Sequence, residues 1–91
     1  MGMIDGRNQQ QQQVYVSYHQ SNYVYSENRP EYAGEISLVR HPKTRKYLAY
    51  VDNIGILSGS ESGSEKRTLG YARSYARRVA KQRKDLAAKV A

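Results

Sequence analysis

One amphipathic segment near the C-terminus limits what this chain can fold into. Over residues 66–90 the apolar side chains recur at steps of three, four and seven, which predicts a single helix with one apolar stripe. The predicted stripe consists of Leu69, Ala72, Tyr75, Ala76, Val79, Ala80, Leu86, Ala87 and Val90. Because one stripe covers one surface, the rest of the chain must form a layer that this helix can pack against.

Two alternating segments predict part of that layer. Residues 35–40 and 46–51 flank a short turn, and they predict an antiparallel hairpin in which Arg40 pairs with Tyr47. In this register Ile36 and Leu38 meet Ala49 and Val51 on one face of the pair. A sheet with one apolar face is what a single amphipathic helix requires as a partner.

Other segments extend the predicted sheet. Residues 14–19 and 22–27 are interpreted as a hairpin closed by a two-residue turn, with a single longer bent strand as the alternative. In the hairpin, Tyr23 and Tyr25 share the apolar face. Residues 52–57 are a candidate fourth strand that follows an Asp-Asn turn.

These patterns predict an α+β fold, an antiparallel β-meander of three to four strands packed by one long C-terminal α-helix. Residues 1–13 are predicted to be a disordered Gln-rich tail, and residues 14–91 a single small domain. Within it we expect the meander at 14–57, a flexible Ser- and Gly-rich loop at 58–65, and the basic amphipathic helix at 66–90. The order of elements is similar in architecture to small DNA-binding domains of the plant AP2 and integrase N-terminal types, without any matching motif residue.

The net charge of +7 is concentrated in the C-terminal part of the chain. Residues 1–64 hold six basic and six acidic groups, whereas residues 65–91 hold nine basic groups and two acidic ones. Such a concentration indicates a polyanionic or acidic partner. We therefore expect a small protein that binds nucleic acid, DNA or RNA, through its C-terminal helix.

The helix geometry predicts which cations contact the nucleic acid. Arg73, Arg77, Lys81 and Lys84 fall within an arc of about 80° beside the apolar stripe, so they can follow a phosphate backbone. If the basic hairpin tip lies beside the helix, it extends the same positive surface. The candidate nucleic-acid-binding residues are Arg73, Arg77, Arg78, Lys81 and Lys84 of the helix, and Lys43, Arg45 and Lys46 of the tip.

An apolar group on the second face of the sheet keeps other functions open. Val39, Leu48 and Tyr50 are too apolar for a fully hydrated face, and the helix, a partner or a second copy must cover them. The alternative function is a protein-binding regulator or inhibitor, such as a phage-type small protein, that engages an acidic or nucleic-acid-binding surface of a larger protein. Tyr15 and Tyr50 are candidates for stacking on unpaired bases, with packing in the sheet as their other role.

Catalysis, cofactors and metals have no support in the sequence. His19 and His41 belong to separate predicted hairpins and have no evident acidic partner, and no glycine-rich phosphate loop is present. The chain has no cysteine, and no apolar run approaches the ~20 residues of a membrane span. We expect a cytoplasmic, non-enzymatic protein that binds neither a metal nor a membrane.

Overall fold

The computed structural model describes residues 22–90, which form a four-stranded antiparallel sheet with one helix packed on it. The elements are β1 (Asn22–Glu27), β2 (Ile36–Arg40), β3 (Tyr47–Val51), β4 (Gly55–Ser62) and α1 (Glu65–Val90), and the strand order is β1-β2-β3-β4. The predicted meander with one C-terminal helix is therefore confirmed. The predicted tail at 1–13 and strand at 14–19 lie outside the described residues. No helix within the described range is both long and apolar enough to cross a membrane.

The hairpin formed by β2 and β3 has the predicted register. Arg40 pairs with Tyr47, and the pairing continues without a shift to Ile36 and Val51. Alternate side chains therefore point to opposite sides of the sheet. We call the side that α1 covers the inner face and the other side the outer face.

The core lies between the inner face and α1. Its fully buried hydrophobic side chains are Ile36, Leu38, Ala49, Val51, Ala72 and Ala76. Tyr32, from the connection between β1 and β2, and Leu57 of β4 complete the cluster. Because the helix presents alanines here, its backbone comes close to the sheet side of the molecule. The carbonyl oxygen of Ala76 accepts a hydrogen bond of 3.0 Å from the backbone N–H of Ala33.

The apolar stripe of α1 is packed only where the helix meets the sheet. Leu69 and Tyr75 are partly buried against the core, and burial continues to Ala80. Every residue from 81 to 89 is exposed, including Leu86 at 62%. The helix therefore projects beyond the sheet, and we call residues 81–89 the overhang.

The turn between β3 and β4 lies at the end of the sheet from which the overhang projects, since Arg83 of the overhang donates to the carbonyl of Asn53. The predicted Asp-Asn turn is present between β3 and β4, with Asn53 at φ 70° and Gly55 at φ 115°. Both angles lie in the left-handed region, where asparagine and glycine are the favoured residues. Gly34 approaches this turn closely, because a Cβ atom at Gly34 would lie 2.1 Å from the carbonyl oxygen of Asp52.

The structure corrects the predicted side-chain pattern of β1. Tyr23 pairs with Val39, whereas Tyr25 pairs with Leu38, so the register shifts by one residue at Val24. Such a β-bulge turns the following side chains to the other face. Tyr23 therefore points to the outer face and Tyr25 to the inner face, and the prediction that they share a face is wrong.

The predicted flexible loop at 58–65 is wrong for most of its length. β4 continues to Ser62, and only Gly63 and Ser64 separate it from α1. The Oγ of Ser64 accepts a 3.2 Å hydrogen bond from the backbone N–H of Arg67, which makes Ser64 the N-cap of the helix. A short connection to a capped helix fixes where α1 begins.

Side-chain hydroxyls hold the irregular part of β4. Regular pairing with β3 breaks after the pair of Ala49 and Leu57 and resumes at Ser62. In between, the buried Oγ of Ser60 accepts a 2.9 Å hydrogen bond from the N–H of Ala49 and donates one to the carbonyl of Leu57. The hydroxyl of Thr68, buried in α1, donates to the carbonyl of Ser60 at 2.7 Å. These bonds replace the missing ladder and join β4 to the helix.

We expect Ser60→Ala to lower the free energy of unfolding by about 1–3 kcal/mol, because the N–H of Ala49 would be buried without a partner. Urea unfolding followed by circular dichroism measures this change. Ser58→Ala is the matched control, since Ser58 is an exposed serine of the same strand and its loss should cost less than about 0.5 kcal/mol. Equal effects of the two variants would contradict this account of β4.

Candidate functional site

The sheet engages Arg73, the first member of the predicted phosphate-binding row. The Nε and Nη2 of Arg73 donate to the two carboxylate oxygens of Glu27 at 2.8 and 2.7 Å. The side chains are 34% and 9% exposed, respectively. Because this two-point contact orients the guanidinium fork toward β1, we assign Arg73 a structural role and leave it out of the candidate interface.

The Glu27 carboxylate also accepts hydrogen bonds from two tyrosines. Tyr25 donates its hydroxyl to Oε1 at 2.8 Å, and Tyr32 donates to Oε2. Hydrogen bonding from Arg73 first, and from the tyrosines next, lowers the pKa of Glu27 to about 2 despite its desolvation. The bond to this carboxylate raises the pKa of Tyr25, while burial and then the carboxylate raise the pKa of Tyr32. The cluster is thus an ionised carboxylate enclosed by donors.

Arg77 lies at the margin of the same cluster but remains open to solvent. Its nearest acidic partner is Glu31, with Nε and Oε2 3.8 Å apart and both side chains about half exposed. Such an exposed pair contributes little. The guanidinium carbons of Arg77 and Arg29 lie 5.5 and 6.0 Å from the ring centroid of Tyr32. Arg29 has no signal in the sequence pattern, because only the fold brings it to the helix.

Arg78, Lys81 and Lys84 are the other exposed helix cations of the predicted site. The guanidinium of Arg78 lies 5.2 Å from the ring centroid of Tyr75 and is exposed. Lys81 and Lys84 are exposed, and no carboxylate of the described residues is within salt-bridge distance of either. Arg83, which interrupts the apolar stripe, donates from Nη2 to a turn carbonyl of the sheet at 3.0 Å. Arg77, Arg78, Lys81 and Lys84 therefore form the available part of the predicted site.

The cations of the hairpin tip lie at the other end of the molecule. Tyr47, at the base of the tip, pairs with Ser62, just before α1 begins. The tip is therefore near the first turn of α1, whereas Lys84 lies about 28 Å farther along the helix at 1.5 Å per residue. The tip does not extend the row from Arg77 to Lys84, and the two sets are separate basic regions.

The backbone of the hairpin tip is held by a histidine side chain. The Nδ1 of His41 accepts hydrogen bonds of 3.0 and 3.1 Å from the backbone N–H groups of Lys43 and Thr44. Arg45 adopts φ 65°, and its N–H donates to the carbonyl of His41 at 2.9 Å. Lys43, Arg45 and Lys46 are all exposed on this ordered turn.

The predicted partner face is present only in part. Val39 and Tyr50 lie on the outer face, opposite α1, and Tyr50 is 41% exposed. Leu48 is 2% exposed. Its inclusion in a partner face is therefore wrong, since a side chain that is already buried offers no surface to a partner. The helix does not cover these residues, because it packs on the inner face.

Comparisons with protein-family models, with curated proteins and with solved structures found no match. Among the described residues, no three His, Asp or Glu side chains are grouped closely enough to hold a metal ion. The basis for a functional proposal is therefore the placement of cations and tyrosines on this fold.

The Glu27 cluster predicts an acid-sensitive fold. Because the pKa of Glu27 is about 2 in the folded protein against an ordinary 4.5, its stabilising contribution is complete above about pH 5. It is lost as the pH falls through 4.5 toward 2, and amounts to at most about 3 kcal/mol, because Arg73 is 34% exposed and solvent screens the pair. Urea unfolding at a series of pH values checks this dependence.

Glu27→Gln should remove this part of the acid dependence, because the amide does not titrate. Glu31→Gln removes a carboxylate that is 48% exposed and should leave the dependence in place. If Glu27→Gln is as acid-sensitive as the parent protein, the cluster does not control stability.

Proposed function

We propose that the protein is non-enzymatic and binds nucleic acid, with Arg77, Arg78, Lys81 and Lys84 contacting phosphates. The observation that carries this proposal is the pairing of the helix cations. Arg73 has a carboxylate partner in the fold, whereas Lys81 and Lys84 project on an exposed helix without one among the described residues. Phosphate is the partner that suits such a row, because Arg and Lys neutralise it directly.

Stabilisation of the helix end is a weaker explanation of these charges. Cations near a helix C-terminus interact favourably with the macrodipole, but the effect is confined to the last turn. It accounts for Lys89 in that turn, and it does not account for Arg77 to Lys84, which begin more than three turns from the end.

The row places like charges next to one another on the helix, and Asp85, four residues after Lys81, offsets only part of their repulsion. Arg77 and Lys81 are four residues apart, and Lys81 and Lys84 are three apart, so each pair lies on neighbouring positions of the helix surface. Like charges at these spacings cost about 0.2–0.5 kcal/mol per pair. A bound polyanion would remove this repulsion, so ligand binding and helix stability are coupled.

The proposal predicts how strongly salt weakens binding. Four phosphate contacts on duplex DNA give a slope of about −3.6 in a plot of log affinity against log salt, at ~0.9 per contact. Lys81→Gln with Lys84→Gln should weaken binding and bring the slope to about −1.8. Fluorescence anisotropy with a labelled duplex at several salt concentrations measures both quantities.

A matched control is available on the same helix. Lys66→Gln with Arg67→Gln removes the same charge from exposed positions of the first turn, and it should leave the slope near the parent value. An equal decrease in both double variants would mean that overall charge, and not the row, drives binding. Absence of binding by the parent protein to DNA and RNA would refute the proposal.

An acidic protein surface is the second candidate partner, and the exposed Leu86 favours it. Phosphate contacts do not explain a leucine that is 62% exposed on the overhang. An amphipathic helix that enters a groove uses such a residue as an apolar anchor, with flanking cations that meet acidic groups. In this case the protein is a regulator or inhibitor of a larger protein.

Leu86→Gln distinguishes the two partners. Because the side chain is exposed, the substitution should change the free energy of unfolding by less than about 0.5 kcal/mol. If the partner is nucleic acid, the affinity for duplex DNA stays within about twofold of the parent value, since no phosphate contact is lost. A protein that the parent chain retains from a nuclease-treated lysate, and the Leu86→Gln variant does not, would favour the second candidate.

A further inference from the structure

The outer face of the sheet presents exposed tyrosines, and it also carries Glu61 of β4, whose neighbours Ser60 and Ser62 face inward. The paired residues that the register places there are Tyr23, Ser26, Ser37, Val39, Leu48, Tyr50 and Ile56. α1 packs on the opposite face, so this surface belongs to no part of the core cluster. Its exposed tyrosine rings can stack on a flat group.

The exposed area of this face is aromatic and not aliphatic. Leu48 is 2% exposed, and Val39 and Ile56 are half-buried, whereas Tyr23 and Tyr50 are 64% and 41% exposed. Exposed tyrosines are also common at protein interfaces, so the choice of ligand rests on the cations beside the rings. A stacking ligand needs only the accessible tyrosine rings.

The hairpin tip places cations directly beside this aromatic surface. The tip follows Arg40, one residue after Val39, and Val39 pairs with Tyr23 on one side and Leu48 on the other. Lys43, Arg45 and Lys46 therefore border the Tyr23 end of the outer face. The hydrogen bonds of His41 fix the tip backbone before any ligand arrives, which lowers the entropy cost of binding.

We propose that the outer face and the hairpin tip bind a single-stranded segment of nucleic acid, with bases stacked on Tyr23 and Tyr50 and phosphates on the tip cations. This inference rests on the proposed function for the class of ligand and adds a second, independent site. A groove of cations beside exposed aromatic rings is the arrangement that retains single strands without reading their sequence.

The separation of the two rings favours a single strand over a duplex. Tyr23 and Tyr50 are two strands apart and one side-chain repeat apart along the sheet, which puts their Cα atoms at about 12 Å. Neighbouring bases of a duplex are stacked at about 3.4 Å and offer only their edges. Rings at this distance suit bases that are splayed out of a flexible strand.

The experiment compares two tyrosines of equal exposure in the full chain. Tyr50→Ala should weaken binding of a labelled oligothymidine by about fivefold or more, and Tyr50→Phe should retain it because the ring remains. Tyr71→Ala is the matched control, since Tyr71 is 42% exposed and belongs to α1. Anisotropy titrations give the affinities, and circular dichroism shows that each variant is folded.

The hairpin tip is tested through salt dependence on the same oligothymidine. Lys43→Gln with Lys46→Gln should reduce the slope by about 1.4, at ~0.7 per contact on a single strand. Unchanged affinity of Tyr50→Ala, or an equal loss in Tyr71→Ala, overturns the proposal. A parent protein that sediments as a dimer, and becomes monomeric in Tyr50→Ala, overturns it in favour of a second copy.

The two proposed sites can be refuted separately. The Tyr50 variants should leave duplex binding within about twofold, while Lys81→Gln with Lys84→Gln reduces it. Loss of the duplex effect with a retained Tyr50 effect refutes only the helix row. The reverse result refutes only the single-strand site.

Discussion

The contact between Glu27 and Arg73 determines how the helix lies on the sheet. It joins β1, an edge strand of the described sheet, to a helix residue 46 positions later in the chain. Glu27 is 9% exposed, so loss of its partner would leave a carboxylate desolvated and unpaired, which is costly. With Ala72 and Ala76 against the strands, this pair holds α1 on the sheet, and Lys81 and Lys84 are exposed because the overhang projects beyond it.

The sequence correctly predicted those parts of the fold in which the side-chain period agrees with the burial pattern. Alternation alone placed Arg40 opposite Tyr47, because a shift of one residue would have exposed Ile36 and Leu38. The same reasoning failed at Val24, because a β-bulge reverses the alternation of side chains between the two faces. The sequence of β1 gives no sign of this bulge, since tyrosines occur on both faces of the strand. Period arguments assume an uninterrupted ladder, and β1 does not have one.

Composition led to a wrong prediction in β4, where serine side chains replace the missing backbone hydrogen bonds of the sheet. The segment at 58–65 has the Ser and Gly content of a linker, and hydroxyls do compete with regular structure in loops. In this fold Ser60 uses the same capacity to satisfy the N–H of Ala49, and Thr68 ties the strand to α1. Whether a serine loosens or completes a strand depends on what lies opposite it, which a local sequence window does not contain.

The candidate site shows the same limit of local information. A helical projection places Arg73 beside Arg77. It does not reveal that Glu27 lies on the sheet at the edge of the apolar stripe. The eight candidate basic residues therefore belong to three groups. One pairs with a carboxylate within the fold, four are exposed on the helix, and three lie on the hairpin tip near the start of the helix. The net charge of the chain does not reveal this division, on which the proposed function depends.

The distance between the two proposed sites decides how they combine. The tip lies near the start of α1, and Lys84 lies about 28 Å farther along its axis, so substitutions at the two sites share no contact. Free energies of binding should then add. A ligand with both duplex and single-stranded parts can occupy the helix row and the outer face together, and its affinity exceeds that of either part through effective concentration. A pure duplex gains nothing from Tyr50, and a short single strand gains little from Lys81. If both proposed sites bind nucleic acid, a junction of paired and unpaired strands is the ligand expected to bind most tightly.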